Sequence, residues 1–142
     1  MSRLVEAARR YKGTRFRHRG RSSSFVDCAG LGWRIYHDCG VDLPDFRLYG
    51  PEPHNDGLVQ HMTVAFGAPV HVAPVRFCDL QLGDVVVMRF QTEPHHVGMI
   101  ADYVKPGHLS LIDADGMEGK VVERRLSEKY LARITHVFRK PV

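Results

Sequence analysis

The chain changes its hydrophobic rhythm once, and that change constrains its fold more than any other feature. Before Gly67 the apolar residues recur at helical spacing: Leu4, Val5, Ala8 and Tyr11, then Leu31, Trp33, Ile35 and Tyr36, then Leu58, Met62, Ala65 and Phe66. After Gly67 the apolar runs are short and rich in Val and Ile. Residues 84–90, 97–103, 109–114, 120–124 and 134–138 read as five strands, with Pro94, Pro106-Gly107 and Gly116 to Gly119 in the turns between them. Helices first and a strand meander afterwards predict an α+β fold, with N-terminal helices packed on an antiparallel sheet of about five strands. At 142 residues, 44% of them hydrophobic, residues 1–142 make one domain whose core needs neither disulfide nor metal.

Punctuation residues sharpen the helices. Ser2 is placed to cap the first and Gly13 to end it, while Gly40 and then Pro44 close the second. Between residues 44 and 57 stand Pro44, Gly50, Pro51, Pro53 and Gly57, too many breakers for regular structure, so this stretch reads as a surface loop.

Three cysteines cannot all pair, and they lack the CxxC spacing of a zinc or redox site. Cys28 and Cys39, on one helix, are separated by roughly 16 Å, beyond disulfide reach. Of the three, Cys28 has local physics on its side. In Asp27-Cys28-Ala29-Gly30-Leu31 it opens a helix, where unpaired N–H groups and the positive end of the macrodipole favour a thiolate, and Asp27 can cap the same N–H groups. Cys39 lies at the opposite helix end among apolar neighbours and reads as core; Cys78 stands beside Asp79, which opposes a thiolate.

A thiol nucleophile needs a base. Of nine histidines, His96 stands at the mouth of a strand with Gly98 on the same face, which leaves room beside the imidazole for substrate or a helix end. On the neighbouring strand Asp113 can accept the imidazole N–H and fix its tautomer, with Asp115 as the fallback on the same face. Together these make a Cys-His-acid relay. A metal held by His95 and His96 is disfavoured, because adjacent strand residues diverge and no further ligand has zinc-like spacing. No cofactor is expected.

Charge is uneven. Arg3, Arg9, Arg10, Lys12, Arg15, Arg17, Arg19 and Arg21 precede residue 22, against Glu6 alone, in a chain of net charge +4. That end reads either as a solvated face or as a surface that seeks an anionic partner. Nucleic acid is the weaker partner, since the arginines are not interleaved with stacking aromatics. The N-terminal residues run into charge rather than an apolar stretch, and no run approaches membrane-spanning length. The sequence therefore predicts a protein made in a cytoplasm, without a signal peptide and without membrane insertion.

Five anchors in order carry a resemblance: Gly13-Thr14-Arg15-Phe16-Arg17, Asp27-Cys28-Ala29-Gly30-Leu31, Leu80-Gln81-Leu82-Gly83-Asp84, His96-Val97-Gly98-Met99-Ile100 and Leu111-Ile112-Asp113-Ala114. The chain resembles the NlpC superfamily of cell-wall cysteine peptidases over nearly its whole length. With His18-Arg19-Gly20 ahead of the cysteine motif, it is similar in particular to single-domain members of phage tail modules, prophages and gene transfer agents. The resemblance implies a papain-like fold, Cys28 as nucleophile, His96 as base and Asp113 as the third polar residue. It also sets Phe16, Arg17, Asp27 and Gly98 around the substrate. Two positions depart from the family pattern: Asp113 stands where a histidine or amide is usual, and Phe16 where a tyrosine is common. The implied reaction is amide hydrolysis in a peptidoglycan stem peptide, often after D-glutamate, by a tail-tip component of a virion that contacts other tail or hub proteins. The alternative it leaves open is a structural tail-tip protein that keeps the fold with weak or no activity.

Overall fold

The computed structural model describes residues 2–45, 57–90 and 94–142. Its first helix, α1 (Arg3–Arg10), starts where the Ser2 hydroxyl accepts the N–H of Val5 and buries Leu4, Val5, Ala7 and Ala8. The second, α2 (Cys28–Asp38), begins at Asp27 and stops before Gly40, whose φ of 80° is the left-handed conformation that glycine supplies at a helix end. A third, α3, spans Leu58–Phe66 and a short fourth, α4, spans Glu128–Leu131. All but α4 follow from the periodicity. Most of the expected loop between 44 and 57 lies outside the described residues.

One sheet of eight strands organises the rest. Its centre is the expected meander: β4 (Val85–Arg89), β5 (Pro94–Asp102), β6 (Leu109–Asp115), β7 (Lys120–Arg125) and β8 (Ile134–Phe138), in the order β7-β6-β5-β4-β8 and antiparallel throughout. The count of about five is exceeded by three two-residue strands at the edges. β1 (Arg15–Phe16) and β2 (Phe25–Val26) extend the β7 side and pair with each other in parallel, while β3 (His71–Val72) extends the β8 side. Two residues carry no alternation to read, so pairing of this length is set by the fold rather than by local pattern.

Both faces of the sheet are covered, which explains why Val85, Val86, Val87 and Met88 are buried in succession. On one face α1, α2 and α3 bring Val5, Leu31, Ile35 and Met62 onto Val85, Val87, Met99 and Ile112. The other carries Val86, Met88, Ile100, Leu111 and Val137, closed over by Leu80 and Leu126. Asp84, 1% exposed, receives both arms of the Arg139 guanidinium at 2.7 and 2.8 Å, so the buried charge at the head of β4 is paired and hydrogen-bonded.

Part of the N-terminal positive charge is used internally. Arg9 hydrogen-bonds Glu123 at 2.9 and 3.2 Å and pairs with Asp102, Lys12 reaches Glu123 at 3.2 Å, and Arg21 is buried against Asp27 and Asp45. Arg3, Arg10, Arg15, Arg17 and Arg19 keep exposed positions. The anionic-partner expectation therefore draws on five exposed arginines rather than on all eight basic residues. Among the described residues no helix is long and apolar enough to cross a membrane.

Candidate active site

Cys28 is the first residue of α2, and the chain just before it fixes that helix end tightly. Asp27 caps it: Oδ1 accepts the Gly30 N–H at 2.7 Å, and Oδ2 accepts the Arg19 N–H at 2.8 Å. The Arg21 guanidinium, with its side chain 4% exposed, adds a 3.0 Å bond to Asp27 Oδ1 and a 2.9 Å bond to Asp45. Close approach of the loop depends on two glycines. A Cβ on Gly30 would sit 1.9 Å from the Gly20 carbonyl oxygen, and one on Gly20 would sit 2.7 Å from that of Phe25. Arg19 turns the loop with a left-handed φ of 64°. The sulfur-bearing residue is buried over Leu31, Ile35, Val97, Met99 and Ile112, so it rests on an apolar floor.

The histidine expected as base comes from the sheet. His96 Nε2 lies 2.7 Å from Asp113 Oδ2, bringing together two residues from neighbouring strands. Burial of the imidazole disfavours its charged form, but the hydrogen bonds to Asp113 and to Cys28, with the charges of both partners, outweigh this and raise its pKa well above the ordinary histidine value. With Nε2 engaged by Asp113, Nδ1 is the ring nitrogen left for the thiol. Phe90 holds the ring edge-on, with centroids 5.5 Å apart. Asp113 is itself buried, and Arg124 Nε approaches its other oxygen at 3.6 Å.

Beside this pair opens a cleft of about 610 Å³, lined by Phe90, His96, Asp113, Met117, Arg124 and Tyr130 among others. A larger groove, about 890 Å³, runs along Phe77, Leu80, Leu109 and Leu126, and none of its lining residues belongs to the site. Among the described residues no group of three or more His, Cys, Asp or Glu side chains is placed to hold a metal ion.

The remaining site residues need correction or refinement. Asp27 has no face toward substrate: its two oxygens are spent on backbone N–H groups and on Arg21, so its role is to position the helix. Gly98 does not open space beside the imidazole. A Cβ there would lie 2.6 Å from Leu111 Cδ1, so the glycine admits Leu111 into the core. Phe16 is half-buried against the helical core and lies under Gly116, whose Cβ would be 3.7 Å from the ring. Arg17 is exposed with its guanidinium 5.2 Å from the Phe25 ring centroid. Asp115, the fallback acid, instead pairs with Arg124 at 2.6 Å and accepts the N–H of Met117. Cys39 is core, its thiol donating to the Arg3 carbonyl oxygen, whereas Cys78 is exposed. Arg124 and Arg21 were not singled out by spacing. Their signal is the cross-strand register and the burial of their partners, which exist only once the chain is folded.

An α+β domain with a helix opened by cysteine and a histidine-acid pair on the adjoining sheet is a papain-like arrangement. The chain belongs to the NlpC/P60 family, whose model matches residues 13–140. No curated protein matches the sequence. Among solved structures it is similar to an NlpC/P60 family protein from Bacillus cereus ATCC 10987, with 23% identity, a TM-score of 0.63 and coverage of 96% of this chain and 39% of that one. NlpC1 from Trichomonas vaginalis gives 19% identity, a TM-score of 0.65 and coverage of 96% and 42%. The chain thus spans about two fifths of the length of both proteins. The NlpC/p60 domain of the peptidoglycan hydrolase SagA is similar over 97% of each chain, with 18% identity and a TM-score of 0.58.

Proposed function

We propose that the protein is a cysteine peptidase that hydrolyses an amide bond of peptidoglycan stem peptides. The observation that carries the reading is the convergence of Cys28, His96 and Asp113, from a helix and two strands, on one point. Family membership supports it, as does the similarity to the SagA hydrolase domain. In the resting site the proton sits on His96, held by Asp113, and the Cys28 sulfur is the thiolate partner. Sulfur attacks the carbonyl carbon. The oxygen that gains charge meets the first-turn N–H groups of α2, of which Asp27 takes that of Gly30 and leaves those of Cys28 and Ala29. Collapse of this intermediate breaks the C–N bond, the His96 proton passes to the departing amine, and the acyl group stays on sulfur as a thioester. Neutral His96 then takes a proton from water as its oxygen attacks the thioester. The C–S bond breaks, the product leaves as a carboxylic acid that loses its proton to solvent, and the thiolate-imidazolium pair is restored.

A bond between D-glutamate and a diamino acid is the specific substrate we favour, since a carboxylate-rich strand suits the exposed Arg10, Arg15, Arg17 and Arg19. The setting we favour is a phage or prophage tail tip, on the resemblance of the His18-Arg19-Gly20 segment to tail-module members, with neighbouring tail proteins as partners. The structural alternative draws on Phe16, which brings no hydroxyl to the site. It loses its second support, because Asp113 does engage His96.

Incubation of defined muropeptides with the protein and with Cys28→Ala, read by mass spectrometry, tests the reading. Cleavage by the parent protein, reduced at least about 10³-fold in the variant, is the expected result. Equal absence of products from both favours the structural alternative.

A further inference from the structure

Asp113 Oδ1 and Arg124 Nε are both buried without a hydrogen-bond partner, and they face each other at 3.6 Å. Two orphaned charged atoms so placed in a site need a reason, since each would cost less with a bond of its own. Register supplies the geometry. Leu111 stands opposite Arg124 and Asp113 opposite Val122, so Asp113, Asp115 and Arg124 share one face of the β6–β7 pair. On that face the guanidinium is stretched three ways: Nη2 donates to Asp115 at 2.6 Å, Nη1 to the Tyr130 hydroxyl at 3.0 Å, and Nε is turned to Asp113. Its carbon lies 5.4 Å from the centre of the Tyr130 ring, so the arm is also packed.

The geometry points to Arg124 as a positioning residue of the relay: it shares the charge of Asp113, keeps Oδ2 of that carboxylate on the imidazole, and limits how tightly His96 holds its proton. The inference rests on the peptidase reading for its catalytic meaning. It deepens that reading because an anionic residue at the third position would otherwise bind the imidazolium too firmly to release a proton to the leaving amine. Among the described residues, the charged and titratable groups around the ring are Cys28 from α2, Asp113 and Asp115 from β6, Arg124 from β7, Tyr130 from α4 and Glu118 from the β6–β7 turn. Arg133 lies beyond Phe90, 4.9 Å from that ring's centre. Of the two cations, only Arg124 touches the carboxylate that holds His96.

The test reads His96 directly. In Cys28→Ala protein, the His96 ring Cε1–H resonance, assigned by its loss in a His96→Gln variant, is followed against pH by NMR. Arg124→Gln is expected to move the midpoint up by roughly one pH unit, because it removes a cation from the far side of Asp113. Asp115→Asn is expected to move it down, because it removes a carboxylate and frees Arg124 to face Asp113. Arg124→Lys keeps the charge and is expected to stay near the parent midpoint. Should Arg124→Gln fail to fold, the Asp115 and lysine variants still decide. Midpoints unchanged in all folded variants, or both shifts in one direction, overturn the proposal, even if melting temperatures change. The readout needs no turnover, so a protein without muropeptide cleavage can still pass or fail it; in an active protein the basic limb of kcat/KM moves with the midpoint.

Discussion

Cys28 is placed by its own stretch of chain, residues 19–30, whereas His96 is placed by β5, β6, β7 and the α2 start together. The first half of the proposed relay is made of backbone: a helix end, a cap, a left-handed turn and two glycines without Cβ atoms. The second half is made of side chains that reach across strands, a row running from His96 through Asp113 to Arg124. A site that combines them can fail in two ways. Damage to the cysteine side acts through stability and helix placement, while damage to the histidine side acts through protonation and leaves the fold standing.

After removal of the sulfur itself, the largest expected effect is therefore on the side-chain half, at Asp113. An Asp113→Asn substitution keeps the shape but removes the charge that helps raise the imidazole pKa, and it offers an amide that can stabilise the wrong tautomer. We expect kcat/KM to fall by about 10²-fold or more. The histidine gains its proton affinity from this partner, so losing the partner makes the imidazolium give up its proton at lower pH. The basic limb of the pH profile should move down accordingly. A variant that loses activity with an unmoved limb would mean that Asp113 shapes the site without controlling its charge.

This division also sets what could be read before folding. The helix that carries Cys28, its cap at Asp27 and the stop at Gly40 all follow from contacts within a few residues, so their signals are local and legible. The five central strands are legible too, although β4 is buried on both faces and shows no alternation. What was not legible is what depends on register. Nothing in the spacing of Arg124 says that it stands opposite Leu111 and next to Asp113, and nothing around Gly98 says that Leu111 fills the space beside it. Asp113 and Asp115 look alike in sequence, two residues apart on one face. Only the fold gives one to His96 and the other to Arg124. The exposure of Cys78 is likewise a property of where its single turn of helix lands.

The backbone half is tested at Asp27. Replacing Asp27 with Ala removes the cap, worth about 1 kcal/mol, and leaves Arg21 with Asp45 but without its other carboxylate. Because both side chains of the Asp27–Arg21 pair are 4% exposed, we expect a total loss of roughly 3 kcal/mol. Urea unfolding checks this. Asp27→Asn retains an oxygen for the Gly30 N–H and the Arg21 guanidinium and should lose less than the alanine variant, the difference reporting the bonds to that oxygen rather than the charge. If both variants unfold like the parent protein, the helix start is held by the glycine contacts and the carboxylate is dispensable.

The smallest effect should come from Glu123, which sits next to Arg124 in sequence but points to the other face of β7, toward α1. It is the control for the comparison, since it pairs charge without touching the relay. Burial alone would raise its pKa. Hydrogen bonds from Arg9, Ser110 and Lys12 more than offset that and hold it down to about 2. A carboxylate lowered in the folded state stabilises the fold fully above the unfolded value near 4.5 and loses that contribution as pH falls toward 2. Glu123→Gln should thus melt below the parent protein at pH 7, by the equivalent of about 1 kcal/mol given the solvent access of Arg9 and Lys12. The two melting curves should converge as pH approaches 2. Muropeptide cleavage at pH 7 should be unchanged. A loss of activity in this variant would show that charge on one face of β7 reaches the other, and the separation of the two halves would no longer hold.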